Sequence, residues 1–346
     1  DGTYVWSPGG ATTSSINVTI NVQGDKTLEN DEVLEVTLQN PNNGTLESNY
    51  TDQTTILTDD DEFSISTNTV SIDEGQTDTS ITYTVTRTGS LDAERSLTWT
   101  ITGADGFDTN TDLADAQAAT GTVTFADGQS SKDIIVNVKG DTVEESDETM
   151  NITLSNAPAN STIVSGKSTA SSTILNDDAT FKIETLLADK KEGNSDYVEY
   201  SYTVTRSGDL LQSNSVDWAI DNTVSNSIDS SDLYSGQASS GTLNFNNGES
   251  SKTITIKIKG DNALESNEAL KIDLSNPTTG SVLNSTKDSA TGTVQNDDAE
   301  LNITAGTTNV LEGDAGHSTS NAYTYTVTRT GNLDQITTVD WAVNHG

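Results

Sequence analysis

Carboxylate residues recur in this chain at fixed offsets, each time in front of an alternating apolar stretch. The segment GDKTLENDEVLEVTLQN at 24–40 returns as GDTVEESDETMNITLSN at 140–156 and as GDNALESNEALKIDLSN at 260–276. It places Asp25, Glu29 and Glu32, then Asp141, Glu145 and Glu148, then Asp261, Glu265 and Glu268. Asp25, Asp141 and Asp261 stand 116 and 120 residues apart, the size of a whole domain rather than of a short solenoid repeat. Carboxylates gathered at one place repel one another and raise one another's pKa, and a hard divalent cation relieves that repulsion. Calcium, which takes 6–8 oxygen ligands in flexible geometry, suits such a set better than magnesium, which demands a tight octahedron.

Further acids repeat in register with these. A Glu-Gly occurs at 74–75, 192–193 and 312–313; an Asp lies nine residues before a Gly-Thr-x-x-Phe, at Asp112 and Asp232; and two or three aspartates close each copy, at 59–61, 177–178 and 297–298. In the first complete copy the set is Glu74, Asp112, Asp141, Glu145, Glu148, Asp177 and Asp178. In the second it is Glu192, Asp232, Asp261, Glu265, Glu268, Asp297 and Asp298. All fall in expected loops or strand ends, and basic residues are too few and too far off in sequence to neutralise them. An acidic surface would crowd loops with carboxylates by itself, but it would not repeat their offsets. The loops lack the D-x-[DN]-x-[DN]-G pattern and the G-G-x-G-x-D repeat, so any ion site is assembled from distant segments.

The elements that must position these residues are strands. Ile16, Val18, Ile20 and Val22 alternate with polar residues, as do Ile254, Ile256 and Ile258, and Leu270, Ile272 and Leu274. Period two marks half-buried antiparallel strands. Asp127-Gly128 and Asn247-Gly248 read as hairpin turns because both residue types tolerate positive φ. Tyr-Thr-Val-Thr-Arg recurs at 83–87, 202–206 and 325–329, and Trp99, Trp218 and Trp341 follow in apolar strand patterns expected to bury the indole. Arg87, Arg206 and Arg329, each just before a Gly turn, are expected to fix that turn. The fold class is all-β: tandem immunoglobulin-like β-sandwich domains of about seven antiparallel strands. The landmarks divide the chain into the C-terminal half of a domain at 1–61, whole domains at 62–178 and 179–298, and an N-terminal half at 299–346, with linkers of one or two residues.

Composition narrows the function. The formal charge is −37, from 16 Lys plus Arg against 53 Asp plus Glu, which argues against nucleic acid and anionic membrane surfaces as partners. Hydrophobic residues make up only 31%, near the disordered range, and it is their alternation that supports a folded chain. Cysteine is absent, so there is no disulfide framework and no thiolate metal site. No apolar run approaches the roughly 20 residues that span a bilayer. No leader precedes Asp1 and the pattern breaks off at Gly346, as expected of a piece of a longer protein. His317 and His345 are the only histidines and occupy no matched positions. No G-x-S-x-G elbow occurs, and carboxylate pairs repeated once per domain do not resemble a single active site. No catalytic residue is expected.

The order Glu-Gly, T-V-T-R-x-G, Gly-Thr-x-x-Phe, Asp-x-x-x-Glu-x-x-Glu and closing Asp-Asp resembles the Calx-beta domain, and the resemblance spans essentially the whole chain. That family comprises the calcium-binding modules of sodium/calcium exchangers, a segment of integrin β4, and tandem arrays in animal and bacterial surface proteins. The resemblance implies Ca2+ as the bound ion and the fourteen acids above as its ligands, Asp141 and Asp261 less firmly. The matching acids of the incomplete copies are Asp25, Glu29, Glu32, Asp59, Asp60, Asp61 and Glu312. The chain departs from the family where Ala179 and Ala299 replace the third closing acid seen at Asp61, and where Asn267 replaces the acid seen at Asp31 and Asp147; both losses imply fewer ions. The cluster at 24–40 lacks upstream partners and is expected to bind weakly.

The function so implied is a calcium-rigidified rod or spacer in a large surface or secreted protein, on this reading a bacterial one, extracellular or at the cell surface. Its partners are calcium ions and the neighbouring repeats of the same chain, with other surface proteins or self-assembly beyond them. The alternative is a calcium-responsive regulatory or adhesive module.

Overall fold

Alternating side chains fold where two sheets can each turn their apolar face toward the other, and this chain does so twice. The computed structural model describes residues 2–6, 15–185, 189–306, 309 and 323–344; Glu312, His317 and His345 lie outside them. Strands β1 (Glu32–Thr37) and β2 (Thr51–Ile56) form an antiparallel pair. The first nine-stranded unit follows with β3 (Asp61–Thr67), β4 (Ser71–Asp73), β5 (Thr79–Gly89), β6 (Arg95–Ala104), β7 (Thr120–Phe125), β8 (Ser131–Val138), β9 (Glu148–Ser155), β10 (Ser161–Ile163) and β11 (Thr169–Leu175). The second runs through β12 (Ala179–Thr185), β13 (Asp189–Lys191), β14 (Tyr197–Gly208), β15 (Asn214–Ile220), β16 (Ser240–Phe245), β17 (Ser251–Lys259), β18 (Glu268–Ser275), β19 (Ser281–Leu283) and β20 (Ser289–Gln295). A last antiparallel pair is β21 (Ala299–Ala305) and β22 (Tyr325–Gly331).

In the first unit one sheet has the order β10-β3-β5-β8 and the other β4-β11-β9-β6-β7; the second unit repeats both with β19-β12-β14-β17 and β13-β20-β18-β15-β16. The seven longer strands of each unit pair antiparallel, as expected. The two extra strands are three residues long and pair parallel, β10 with β3 and β4 with β11. They are too short for their alternation to be visible in sequence.

Between the sheets, Ile81, Tyr83 and Val85 of β5 meet Met150, Ile152 and Leu154 of β9 in one buried cluster. Phe63 and Phe125 pack with ring centroids 5.4 Å apart, and Phe181 and Phe245 repeat the contact at 5.2 Å. Each buried tyrosine hydroxyl finds an acceptor: Tyr83 Oη lies 3.0 Å from Ser172 Oγ, and Tyr202 Oη donates to the Leu270 carbonyl at 2.6 Å. Trp99 and Trp218 pack against the edges of these cores. Gly121 faces Trp99, and a Cβ there would lie 2.5 Å from the indole. That explains the glycine of the Gly-Thr-x-x-Phe landmark.

Three expectations are corrected. Asp127-Gly128 does form a tight turn, with Gln129 N donating to the Ala126 carbonyl and φ of 76° at Gly128. However, the strands it joins, β7 and β8, belong to facing sheets. The same holds for Asn247-Gly248 between β16 and β17, so both are arches rather than hairpins: turn residues set a reversal of direction, not the hydrogen-bond partner. Trp341 is exposed rather than a core indole, since residues 337–344 form no strand and have no second sheet against them. Nor are the basic residues all remote from the acids, since Lys139 and Lys259 each reach an aspartate of the repeated segment.

Candidate metal centre

The β-sandwich brings its loops together at the end where β4 and β11 finish and β9 begins. Glu74 follows β4, Asp177 and Asp178 follow β11, Glu145 lies in the β8–β9 loop, Glu148 opens β9, and Asp112 lies on the long β6–β7 loop. Carboxylate oxygens of Asp112, Glu145 and Glu148 lie within 4.8 Å of one another. In the second unit Asp232, Glu265 and Glu268 form the same group, and Glu192, Asp297 and Asp298 form a second, buried one. Residues more than 100 positions apart in sequence, such as Gly193 and Asp297, are thereby gathered at one tip.

Hydrogen bonds hold the arrangement in both copies. Gly75 N donates to Asp177 Oδ1 and Gly193 N to Asp297 Oδ1, both at 3.0 Å. The Gln76 amide donates to Asp178 Oδ1 at 2.7 Å and the Asn194 amide to Asp298 Oδ1 at 2.5 Å. Sequence reading missed a further pair, Asn176 and Asn296, each just before a closing Asp pair. Their side-chain oxygens accept from Glu145 N (3.1 Å) and Glu265 N (3.2 Å), and their amide groups donate to the carbonyls of Asp178 (3.0 Å) and Asp298 (3.1 Å). Recurrence of Asn-Asp-Asp at 176–178 and 296–298 was the available signal. Also missed was Asp229, three residues before Asp232, which lines one open cavity with Asp232, Glu265 and Glu268.

The electrostatics follow from burying like charges. Burial first, then the neighbouring Asp141, Glu145, Asp178 and Asp177, pushes the Glu74 carboxyl up to about 8. Glu192 is pushed to about 8 by burial, then Glu265 and Asp298. Glu148 and Glu268 rise to about 7, by burial and then by Asp112 and Asp232 respectively. Asp178 Oδ2, Glu192 Oε1 and Asp298 Oδ2 are buried with no hydrogen-bond partner. Buried acceptors without a donor are rare in native proteins, and oxygens left open on crowded carboxylates fit a hard cation.

Not every predicted acid joins these groups. Asp141 Oδ2 pairs with Lys139 Nζ at 2.9 Å while its Oδ1 accepts from Val143 N, and Asp261 repeats both contacts with Lys259 and Ala263. Burial works against the charge of Asp141, but Lys139 and the Val143 N–H hold it below the usual value; Asp261 is lowered first by Lys259. These lysines correct the expectation that no base lies within reach. Asp61, which opens β3, is turned away from the acids before it and into its own unit, where its fully buried Oδ2 meets Arg87 Nη2 at 2.8 Å and Arg95 Nε at 3.1 Å. Arg87 also donates to the carbonyls of Asp92 and Ala93, fixing the turn as expected. With Ala179 in place of Asp61, Arg206 reaches turn carbonyls and Asn214 Oδ1 instead. Asn267 is no loss to the scaffold: its Oδ1 accepts from Asn296 N just as Asp147 Oδ1 accepts from Asn176 N, both at 3.1 Å.

In the incomplete first copy, Asp25 is exposed and accepts from Thr27 N, while Asp60 is buried and raised by desolvation and then by Asp59. Glu29 and Glu32 are exposed and join no described group. Asp59 Oδ2 accepts from the Asn160 amide of the next unit at 3.0 Å.

Comparison with known proteins identifies the architecture. The sequence profile of the Calx-beta domain matches residues 6–62, 58–178 and 219–312. The chain belongs to the Calx-beta family. Calx-beta domains are calcium-binding modules rather than a family of enzymes. Solved structures similar to this Calx-beta chain include CBD12 from CALX1.2 (20% identity, 63% of this chain and 81% of that one, TM-score 0.31) and the apo form of the Calx CBD1 domain (22% identity, 35% and 99%, TM-score 0.30). No curated protein matches it significantly. Among the described residues no helix is long and apolar enough to cross a membrane.

Proposed function

We propose that this chain is a calcium-stiffened spacer of a surface or secreted protein, with ions held at the sandwich tips and each tip built into the junction with the next unit. In the second unit Glu192, Asp297 and Asp298 would hold one ion and Asp232, Glu265 and Glu268 another; in the first, Asp112, Glu145 and Glu148 would act together, with Glu74, Asp177 and Asp178 beside them.

One observation carries the reading. The closing Asp, whose carboxylate faces the tip, uses its carbonyl to bind the following unit. Asp60 O accepts from Ser90 N at 2.9 Å, Asp178 O from Asp209 N at 2.7 Å, and Asp298 O from Asn332 N at 2.8 Å. The acid loop leans on the same turn: Leu28 and Leu264 lie against Gly89 and Gly331, and Glu144 accepts from Ser207 Oγ at 2.8 Å beside Gly208. An ion that orders a tip therefore orders the joint. Placement outside the cell rests on the tandem build and on the family's surface arrays.

Thermal melts and small-angle scattering with calcium and with chelator test this. Stabilisation follows RT ln(1 + [L]/Kd), about 2.7 kcal/mol at a hundredfold excess over Kd, together with a narrower distribution of dimensions. Equal melting and equal dimensions in both conditions would refute the spacer. Millimolar affinity fits a structural extracellular ion, micromolar affinity a sensor.

A further inference from the structure

Arg87 and Arg206 occupy the same position in the two complete units, yet only one of them meets a carboxylate. Asp61 opens β3 opposite Gly89, with Phe63 opposite Arg87; Ala179 opens β12 opposite Gly208, with Phe181 opposite Arg206. Both arginines are buried, Arg87 1% and Arg206 2% exposed. Arg87 sends Nε and Nη2 to Asp61 Oδ2, at 2.9 and 2.8 Å. In the second unit Ala179 brings only a methyl group to that position. Asn214, opposite Phe245, replaces Arg95, which lies opposite Phe125 and also pairs with Asp61.

The hydrogen bonds around Arg206 leave one donor over. A guanidinium carries five N–H groups. Nη1 donates to the Gln212 carbonyl at 2.7 Å and to Asn214 Oδ1 at 2.6 Å, and Nη2 to the carbonyls of Leu210 (3.3 Å) and Asn246 (3.2 Å). Nε is buried and has no partner among the described residues. All four acceptors are neutral. Burial pushes the guanidinium below its ordinary pKa, and Asp209 and Glu249 oppose that shift only from a distance. A buried N–H without an acceptor is rare, and a buried charge without a counter-charge is costly.

We propose that the Nε–H of Arg206 holds a small monovalent anion of the halide class, seated beside Ala179 at the position that the Asp61 carboxylate takes in the first unit. A halide accepts the same N–H bond as a carboxylate oxygen and brings the same single charge. A water would accept the bond and leave the charge uncompensated. Sulfate and phosphate would bring several oxygens to a place that offers one N–H. The site lies in the turn that receives the first unit, since Asp209 N donates to the Asp178 carbonyl at 2.7 Å and Leu210 holds Nη2. It requires no calcium and stands apart from the tip ions.

Anomalous diffraction from crystals of the full chain grown in sodium bromide is the first test. The expected map has a bromide peak in contact with Arg206 Nε and none beside Arg87. In solution, thermal melts in chelator compare sodium chloride with the gluconate salt at equal ionic strength, which keeps screening constant. Chloride raises the midpoint at which the second unit unfolds, and the rise grows with the logarithm of concentration above Kd. Ala179→Asp supplies the carboxylate from the chain itself, so it abolishes the peak and the chloride-specific rise while general salt effects remain. Where that variant does not fold, Ala179→Asp with Asn214→Arg rebuilds the first unit's set and gives the same result. A bromide map without a peak at Arg206 overturns the proposal. So does a peak there with no chloride-specific rise, which marks an adventitious ion only, or a rise that the aspartate variants leave intact.

Discussion

Glu74 and Glu192 are glutamates that the fold keeps partly protonated at neutral pH. Their carboxyls sit at about 8, and those of Glu148 and Glu268 at about 7, against an ordinary glutamate value of 4.5. A raised folded pKa means the native state holds protons that the unfolded chain has released. The associated stability is fully present below about 4.5 and is lost as pH rises through 7 to 8. In chelator the melting temperature should therefore fall between about pH 5 and about pH 8.5, and saturating calcium should flatten that slope by taking the protons' place. Calcium binding near neutral pH should release protons, visible as a dependence of the calorimetric heat on buffer ionisation enthalpy. At the first junction, Asp61→Ala leaves a fully buried Arg87 without its carboxylate. The expected cost is about 3 kcal/mol, the lower end for a broken buried pair, because Arg87 keeps the carbonyls of Asp92 and Ala93. Faster hydrogen exchange in β3 and β5 is the measurement.

Among the elements, β6 and β7 show how one glycine sets a strand pair. A Cβ on Gly121 would sit 2.5 Å from the Trp99 indole, whereas on Gly241 it would sit 3.0 Å from that of Trp218. Gly121→Ala should destabilise its unit by about 1–3 kcal/mol, the usual range for overpacking, and Gly241→Ala by less. Thermal unfolding of both variants, with near-ultraviolet circular dichroism of the indoles, ranks them. The long strands were legible because one face of each is buried, and period two is the imprint of that burial. The arches at Gly128 and Gly248 were not, since the residues that permit a reversal are the same whether the next strand joins its own sheet or the facing one.

At the scale of the whole molecule the dominant quantity is a formal charge of −37. Without divalent ions the tips and surfaces repel one another, and salt screens that repulsion within a Debye length of about 10 Å at 0.1 M. Sodium chloride should therefore raise the melting temperature of the chelated protein more steeply than that of the calcium-loaded one. Equal slopes would mean that the tips contribute little to the repulsion. The junctions repeat a carbonyl contact three times, yet each adds its own side chains: Asn160 on Asp59, Glu144 on Ser207, Gln335 on Asp297. Backbone contacts of this kind leave no mark on residue type.

Sequence alone determined the β class, the repeat and the acids worth examining, because burial periodicity and the spacing of loops are local properties that three copies display in parallel. It also placed Glu74, Asp112, Glu148 and the closing Asp pairs in loops or at strand ends. Which of them meet was decided only by the tertiary structure. Asp112, Glu145 and Glu148 share a site, whereas Asp141 is occupied by Lys139 and Asp61 by Arg87. The orientation of a carboxylate depends on the partners that folding brings within about 3 Å, and for Asp61 that partner lies 26 residues on, on the neighbouring strand β5.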